Sequence, residues 1–139
     1  MEKIEKPITE NANNNENSPL ILAYLGDAVH TLFVRKYFLQ TKKIETPKNL
    51  HNICCKFCSA KGQSEALDFL TQFFNEQETD IVRRARNSKN HNAPKNSNIE
   101  EYKKATSFEA LLGYLFVNSK EKRLNELLLN YMEHKEIKW

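Results

Sequence analysis

Two carboxylates stand alone within strongly apolar stretches of this sequence. Asp27 lies in residues 22–29, where the Tyr24 hydroxyl is the only other polar side-chain group, and Glu109 lies in the largely apolar residues 106–117. A charged group inside an apolar helix is costly unless something compensates its charge. A charged residue at a position that a stable core would keep apolar is typical of a functional site. Asp27 and Glu109 are therefore the candidate catalytic residues.

Two of the chain's three glycines accompany these carboxylates: Gly26 precedes Asp27, and Gly113 follows Glu109 by one helical turn. A glycine on a helix face lets another backbone come close, although it costs about 1 kcal/mol relative to Ala. We therefore expect two buried helices to cross at these glycines and to bring the carboxylates together. Facing carboxylates repel each other unless a cation lies between them, and oxygen ligands suit Mg²⁺ or Mn²⁺. The alternative is two separate core carboxylates, each satisfied by local hydrogen bonds.

Helix-start signals and helical periodicity recur along the chain, and no stretch is typical of a strand. Ser18 and Pro19 supply the cap and first residue of a helix that carries Asp27, which we expect to be mostly buried. Ser97-Asn98 begins the long helix that carries Glu109. Further helices are expected after Thr46, over the apolar residues that follow Gly62 (a glycine that marks either a break or close packing), from about Thr79 and from about Lys120. The prediction is an all-α fold of about six to seven helices.

Size and composition indicate one domain with a disordered lead-in. The chain has 139 residues, of which 40% are hydrophobic and 28% are charged, which is typical of a soluble globular protein. Residues 1–17 are rich in Asn and lack the apolar segment of a signal peptide, so we expect the folded domain at residues 18–139. Charged residues interrupt the one long apolar run. We expect no membrane span and a cytoplasmic location.

Basic residues are concentrated in residues 81–104, which hold seven Lys and Arg against two Glu in a chain whose net charge is +3. Small polar side chains, mostly Asn, separate them. This combination favours contact with phosphates and with a nucleic-acid groove, although a solvated helix face is the alternative. The candidate phosphate-contacting residues are Arg83, Arg84, Arg86, Lys89 and Lys95.

Three cysteines, Cys54, Cys55 and Cys58, share a helical face with His51. These side chains could bind zinc, but structural zinc usually takes ligands from two elements, and the chain has no second cysteine pair. An odd number of thiols without a secretory signal favours reduced, half-buried core residues.

Two segments resemble motifs of the ribonuclease III family. Residues 24–29, Tyr-Leu-Gly-Asp-Ala-Val, resemble the family signature, and residues 108–113, Phe-Glu-Ala-Leu-Leu-Gly, resemble its second acidic motif. Residues 85–89 and 101–106 support the match, which is similar to the Mini-ribonuclease III subfamily from residue 18 to the C-terminus. Ribonuclease III proper has two further acidic residues where this chain has Ala23 and Thr106, so a second metal ion would be held largely by substrate phosphate and water.

The resemblance implies a ribonuclease III-like catalytic domain that forms a homodimer and cuts double-stranded RNA, with one active site for each strand. Asp27 and Glu109 would hold Mg²⁺, for which Mn²⁺ could substitute, to polarise the phosphate and activate a water. Hydrolysis would leave a 5′-phosphate and a 3′-hydroxyl, with the five basic residues named above contacting RNA.

The implied substrate is the precursor of the large-subunit (23S) ribosomal RNA, presented with the help of a ribosomal protein. One alternative is a non-catalytic ribonuclease III-like module that binds RNA or the ribosome. A second alternative is a helical metal-dependent hydrolase of small phosphorylated compounds, which would give no reason for the basic loop.

Overall fold

The computed structural model describes residues 18–89 and 92–138, with side chains up to residue 136, so the lead-in expected at residues 1–17 lies outside the described part. This part is all-α, as predicted, and contains no strand. A short 3₁₀ turn at Thr71–Phe73 follows the third helix. The six α-helices are α1 (Pro19–Thr41), α2 (Pro47–Cys58), α3 (Ala60–Leu70), α4 (Glu76–Arg86), α5 (Ile99–Val117) and α6 (Glu121–Lys138).

Side-chain caps begin these helices where free backbone N–H groups need acceptors. The Ser18 hydroxyl accepts a hydrogen bond at the start of α1, and the Asn98 side chain does so at the start of α5. The prediction that α4 begins near Thr79 is wrong by three residues. Asn75 and Glu78 form a reciprocal capping box, so α4 starts at Glu76.

The central helix is α5, which packs against α1, α3, α4 and α6. Its inward side chains form the middle of the hydrophobic core: Phe108, Leu111, Leu112 and Leu115 are all essentially inaccessible to solvent. Glu109 therefore lies on a helix that its neighbours hold on several sides. Such a helix is a rigid support for a functional side chain.

The backbones of α1 and α5 touch where the glycines predicted a crossing. A Cβ atom added to Gly26 would lie 1.7 Å from the Glu109 carbonyl oxygen, and one added to Gly113 would lie 2.0 Å from the Leu22 carbonyl oxygen. Both distances are far shorter than a van der Waals contact. The close approach of the two helices therefore requires glycine at both positions.

The expectation that α1 is mostly buried is wrong for one of its faces. Ile21, Tyr24 and Leu32 are between 66% and 86% exposed, and Leu39 is also exposed. The inward face of α1 carries Gly26 and His30 among apolar residues such as Leu22, Val34 and Phe38, and it packs directly against α5. Asp27 is exposed as well, so its charge remains in contact with water.

A buried ion pair attaches α6 to the start of α4. The Glu78 side chain is 2% exposed, and Arg123 donates to its two carboxylate oxygens over 2.8 and 2.9 Å. Burial opposes ionisation of Glu78, but the hydrogen bonds from Arg123 and from the Asn75 N–H outweigh it and lower its pKa. The pair thus fixes the helix that carries the predicted phosphate-contacting arginines.

None of the helices within residues 18–89 and 92–138 combines the length and the apolar character that a membrane crossing requires.

Candidate active site

Asp27 from α1 and Glu109 from α5 meet at one cavity, as the sequence predicted. The cavity has a volume of about 380 Å³ and opens to solvent. Asp27 lies at its exposed side, whereas Glu109 is half-buried. The residues that line it are Leu20, Ala23, Tyr24, Asp27, Asn92, Tyr102, Thr106 and Glu109.

The two carboxyl groups are close enough to perturb each other's ionisation. Burial, then a hydrogen bond to Asp27 and the negative charge of Asp27, raise the pKa of Glu109 to about 8, while a hydrogen bond from Gln63 acts in the opposite direction. Two carboxylates that share a site commonly behave in this way when nothing neutralises their charge. In the absence of a cation the arrangement therefore opposes ionisation of Glu109 at neutral pH.

Two buried polar residues that the sequence reasoning did not select lie behind Glu109. Gln63 on α3 is 3% exposed, and its Nε2 lies 3.4 Å from Glu109 Oε2 and 3.1 Å from Nδ1 of His30. His30 on α1 is 2% exposed, and burial lowers its pKa to about 4 against the opposing charge of Asp27. The helical spacing of Gln63 with Ala66, Leu67 and Leu70 would have placed it on the buried face.

The donor set fits a hydrated divalent cation. Asp27 and Glu109 offer carboxylate oxygens on one cavity, while Ala23 and Thr106 occupy the lining positions where further acids would lie. Among the described residues, no group of three or more His, Cys, Asp or Glu side chains is arranged to hold a metal ion. Mg²⁺ suits a site with few protein ligands, because it retains several waters and also binds substrate phosphate. A cation would also favour the ionised form of Glu109 against burial and the charge of Asp27, which raise its pKa.

A second cavity, of about 550 Å³, lies next to the first and shares Tyr102 with it. Two of the five predicted phosphate-contacting residues, Arg86 and Lys89, line this second cavity together with Lys103. Lys103 belongs to α5 and was not among the predicted contacts, although it lies within residues 101–106. We call Arg86, Lys89 and Lys103 the basic groove.

The remaining predicted phosphate contacts lie elsewhere. Arg83 lines a separate depression beside the start of α4 and forms an ion pair with Asp80. Arg84 is half-buried, and Lys95 is exposed in the loop before α5. Arg86 itself is paired with Glu100, so part of its charge is already compensated within the chain.

The cysteines divide between core and surface. Cys54 is buried and Cys58 is half-buried, as expected for core thiols, and burial raises the pKa of Cys58 to about 12. Cys55 is exposed, contrary to that expectation, with its Sγ 3.3 Å from His51 Nε2. Cys55 and His51 are both exposed. Neither side chain lines the cavity that holds Asp27 and Glu109.

Comparison with known proteins identifies the family of this chain. The ribonuclease III domain matches residues 20–120. The chain belongs to the ribonuclease III family. It is 40% identical to the Mini-ribonuclease 3 of Staphylococcus aureus over 113 residues, which cover 80% of this chain and 84% of the relative. It is 43% identical to the Mini-ribonuclease 3 of Symbiobacterium thermophilum over 110 residues, covering 79% and 84% respectively.

A solved structure supports the same assignment. The crystal structure of protein FN1578 from Fusobacterium nucleatum has a TM-score of 0.79 and 30% sequence identity, and the match covers 88% of this chain and 99% of that one. The resemblance stated from the two acidic motifs is therefore confirmed. The similarity to Mini-ribonuclease 3 proteins extends over most of the chain, which makes this a ribonuclease III domain of that subfamily.

Proposed function

We propose that this chain hydrolyses phosphodiester bonds of double-stranded RNA at the cavity formed by Asp27 and Glu109, leaving a 5′-phosphate and a 3′-hydroxyl. Family membership makes the chain a double-strand-specific endoribonuclease. The observation that supports these two residues as its catalytic pair is their convergence, from distant parts of the chain, on one open cavity beside a basic groove.

Asp27 and Glu109 would hold Mg²⁺, with Mn²⁺ as a substitute. When bound, the cation supplies the charge that stabilises the phosphate in the transition state and lowers the pKa of the attacking water. Asp27, exposed at the mouth, would orient that water towards the scissile phosphate. Glu109 would enter the reaction as a carboxylate, since a bound cation favours the charged form against the burial and the Asp27 charge that raise its pKa.

The RNA backbone would lie along the basic groove and continue towards the carboxylates. Lys89 and Lys103 would contact phosphates on the side where Tyr102 joins the two cavities. The amide side chains near the groove suit the 2′-hydroxyls and phosphates that A-form RNA presents at its surface. Arg83, Arg84 and Lys95 would contact more distant phosphates.

Two copies of the chain would assemble through the exposed apolar face of α1. Ile21, Leu32 and Leu39 lie on this face at helical spacing, together with Tyr24, and all are exposed. Exposed apolar side chains grouped on one face of a helix are typical of a protein interface. A homodimer would present two cavities, one for each strand of the duplex.

The natural substrate we propose is the duplex at the ends of the large-subunit (23S) ribosomal RNA precursor, in the bacterial cytoplasm, with a ribosomal protein helping to present it. The basis is the similarity to the Mini-ribonuclease 3 proteins of bacteria.

Cleavage of a long RNA duplex tests the proposal. The wild-type protein should cut it in the presence of Mg²⁺ and not in EDTA, and Asp27→Asn should remove cleavage while its circular dichroism spectrum and thermal unfolding remain unchanged. Because Asp27 is exposed, its replacement by Asn should not disturb the core. Equal cleavage by the variant would exclude this site, and binding without cleavage by the wild type would favour a non-catalytic module.

A further inference from the structure

Gln63 makes its two side-chain contacts from a single nitrogen atom. Its Nε2 lies 3.1 Å from His30 Nδ1 and 3.4 Å from Glu109 Oε2. An amide nitrogen carries two N–H groups, so it can donate one to each of these partners at once. Gln63 is 3% exposed, and few other partners are therefore accessible to it.

The contact with Gln63 determines the tautomer of His30. A ring nitrogen that accepts from an amide N–H must lack a proton, so the neutral ring carries its proton on Nε2. Burial keeps His30 neutral. The ring is also fixed sterically, because it packs edge-on against Phe108 with the ring centroids 5.1 Å apart.

The position of α3 is equally constrained. A Cβ atom added to Gly62 would lie 2.2 Å from the Lys56 carbonyl oxygen, and the Gly62 N–H donates to the cap residue Ser59. The first turn of α3 is thus pressed against the end of α2. Gln63 follows directly, so its backbone cannot shift without moving two helices.

We propose that Gln63 is a positioning residue of the candidate active site: its amide, anchored by His30, holds the Glu109 carboxylate in its orientation. The proposal rests on the function proposed above, because it gives Glu109 a role as a metal ligand. A glutamate side chain has three rotatable bonds, and a ligand whose orientation is fixed beforehand binds a cation more tightly. Groups that orient metal ligands typically contribute roughly 10- to 100-fold in metal affinity.

Mn²⁺ binding, measured by electron paramagnetic resonance, tests this role without relying on catalysis. Gln63→Met has a similar size and lacks both donors, so its Mn²⁺ affinity should fall roughly tenfold or more. Ser64→Ala is the matched control, because Ser64 is the next buried polar residue of α3 and does not line the cavity. Affinity equal to that of the wild type in Gln63→Met would overturn the proposal.

The nitrogen chemical shifts of the His30 ring give a second test on the unmodified protein, which avoids any failure of a variant to fold. The proton should reside on Nε2 in the wild type, and a ring protonated on Nδ1 would overturn the proposal. RNA cleavage separates the two hypotheses. If the wild-type protein binds Mn²⁺ but does not cut the duplex, the proposed function is contradicted. If Gln63→Met still binds Mn²⁺ more weakly than this wild type, the positioning role is supported.

Discussion

Gly26→Ala places a single methyl group at the point where α1 and α5 touch. The added carbon would lie 1.7 Å from the Glu109 carbonyl oxygen and 2.9 Å from the Gly113 nitrogen, whereas an ordinary contact begins at 3.4 Å. Both obstacles are backbone atoms, so no side chain can rotate away. Because the shortest of these contacts is 1.7 Å below that limit, the helices must separate locally by about 1.7 Å.

Two opposing terms set the effect on stability. Alanine is favoured over glycine in a helix by about 1 kcal/mol, but overpacking a rigid core typically costs about 1–3 kcal/mol and sometimes more. Because the clash involves two backbones, we expect the free energy of unfolding to fall by about 2 kcal/mol. The expected decrease in melting temperature is roughly 5–10 °C.

The effect on the site should exceed the effect on stability. A displacement of about 1 Å can cost on the order of 100-fold in rate, and here the shift would move Asp27 away from Glu109. Calorimetry would measure the unfolding, and duplex cleavage together with Mn²⁺ binding would measure the site. Ala28→Gly is the matched control, because it weakens the same helix by about 1 kcal/mol at an exposed position without adding an atom.

A Gly26→Ala protein with the melting temperature and Mn²⁺ affinity of the wild type would show that the added methyl group does not force α1 and α5 apart. Such a protein would mean that α1 and α5 do not approach as closely as described. If Gly26→Ala is less stable but binds Mn²⁺ as tightly as the wild type, the helix crossing does not set the positions of the two carboxylates. That result would contradict the proposed site.

Three further predictions concern charge and the exposed apolar face. Without metal, the Glu109 carboxyl binds a proton more tightly in the folded chain (pKa about 8) than in the unfolded chain (4.5). The free energy of unfolding, measured by urea titration, should therefore fall as the pH rises between these two values. The slope should be at most about 1.4 kcal/mol per pH unit. Glu109→Gln should remove this fall; the same slope in the variant would contradict the assignment. Lys89→Ala should weaken duplex RNA binding and lower the salt slope by about 1 in filter-binding titrations, unlike Lys122→Ala on α6, and an unchanged slope would exclude a phosphate contact. Leu32→Glu should convert the proposed dimer to a folded monomer in sedimentation; an unaltered assembly state would exclude the α1 face as the interface.

The sequence was sufficient to predict the helices that carry Asp27 and Glu109, the proposed catalytic pair, and the point where these helices cross. Helix-start residues at Ser18 and Asn98, and glycines beside both carboxylates, are local signals that need no knowledge of the tertiary structure. The start of α4 was also encoded locally, since Asn75 and Glu78 match a capping box. The predicted start near Thr79 did not take this capping box into account.

The sequence was not sufficient to predict which side of α1 would be covered. The helix is apolar around most of its circumference, so periodicity could not distinguish the face that packs against α5 from the face that carries Tyr24 and Leu32. Burial of Asp27 was therefore overestimated. The true inner face is recognisable by Gly26 and His30 only after the crossing is known.

Contacts between distant segments were the least predictable feature. Periodicity places Gln63 on an inward face, but it cannot show that Gln63 meets His30 beside Glu109. The pairing of Arg83 with Asp80 follows from helical spacing, whereas the pairing of Arg86 with Glu100 depends on the path of the intervening loop. Hydrogen-bond partners across 30 or more residues require the fold itself.

Anomalous scattering from a crystal grown with Mn²⁺ would show whether Asp27 and Glu109 share one divalent cation. We expect an anomalous peak between the two carboxyl groups, bound by an oxygen atom of each, that disappears in Asp27→Asn. A wild-type crystal with no peak in this cavity, or with a peak bound by only one of the two residues, would contradict this expectation.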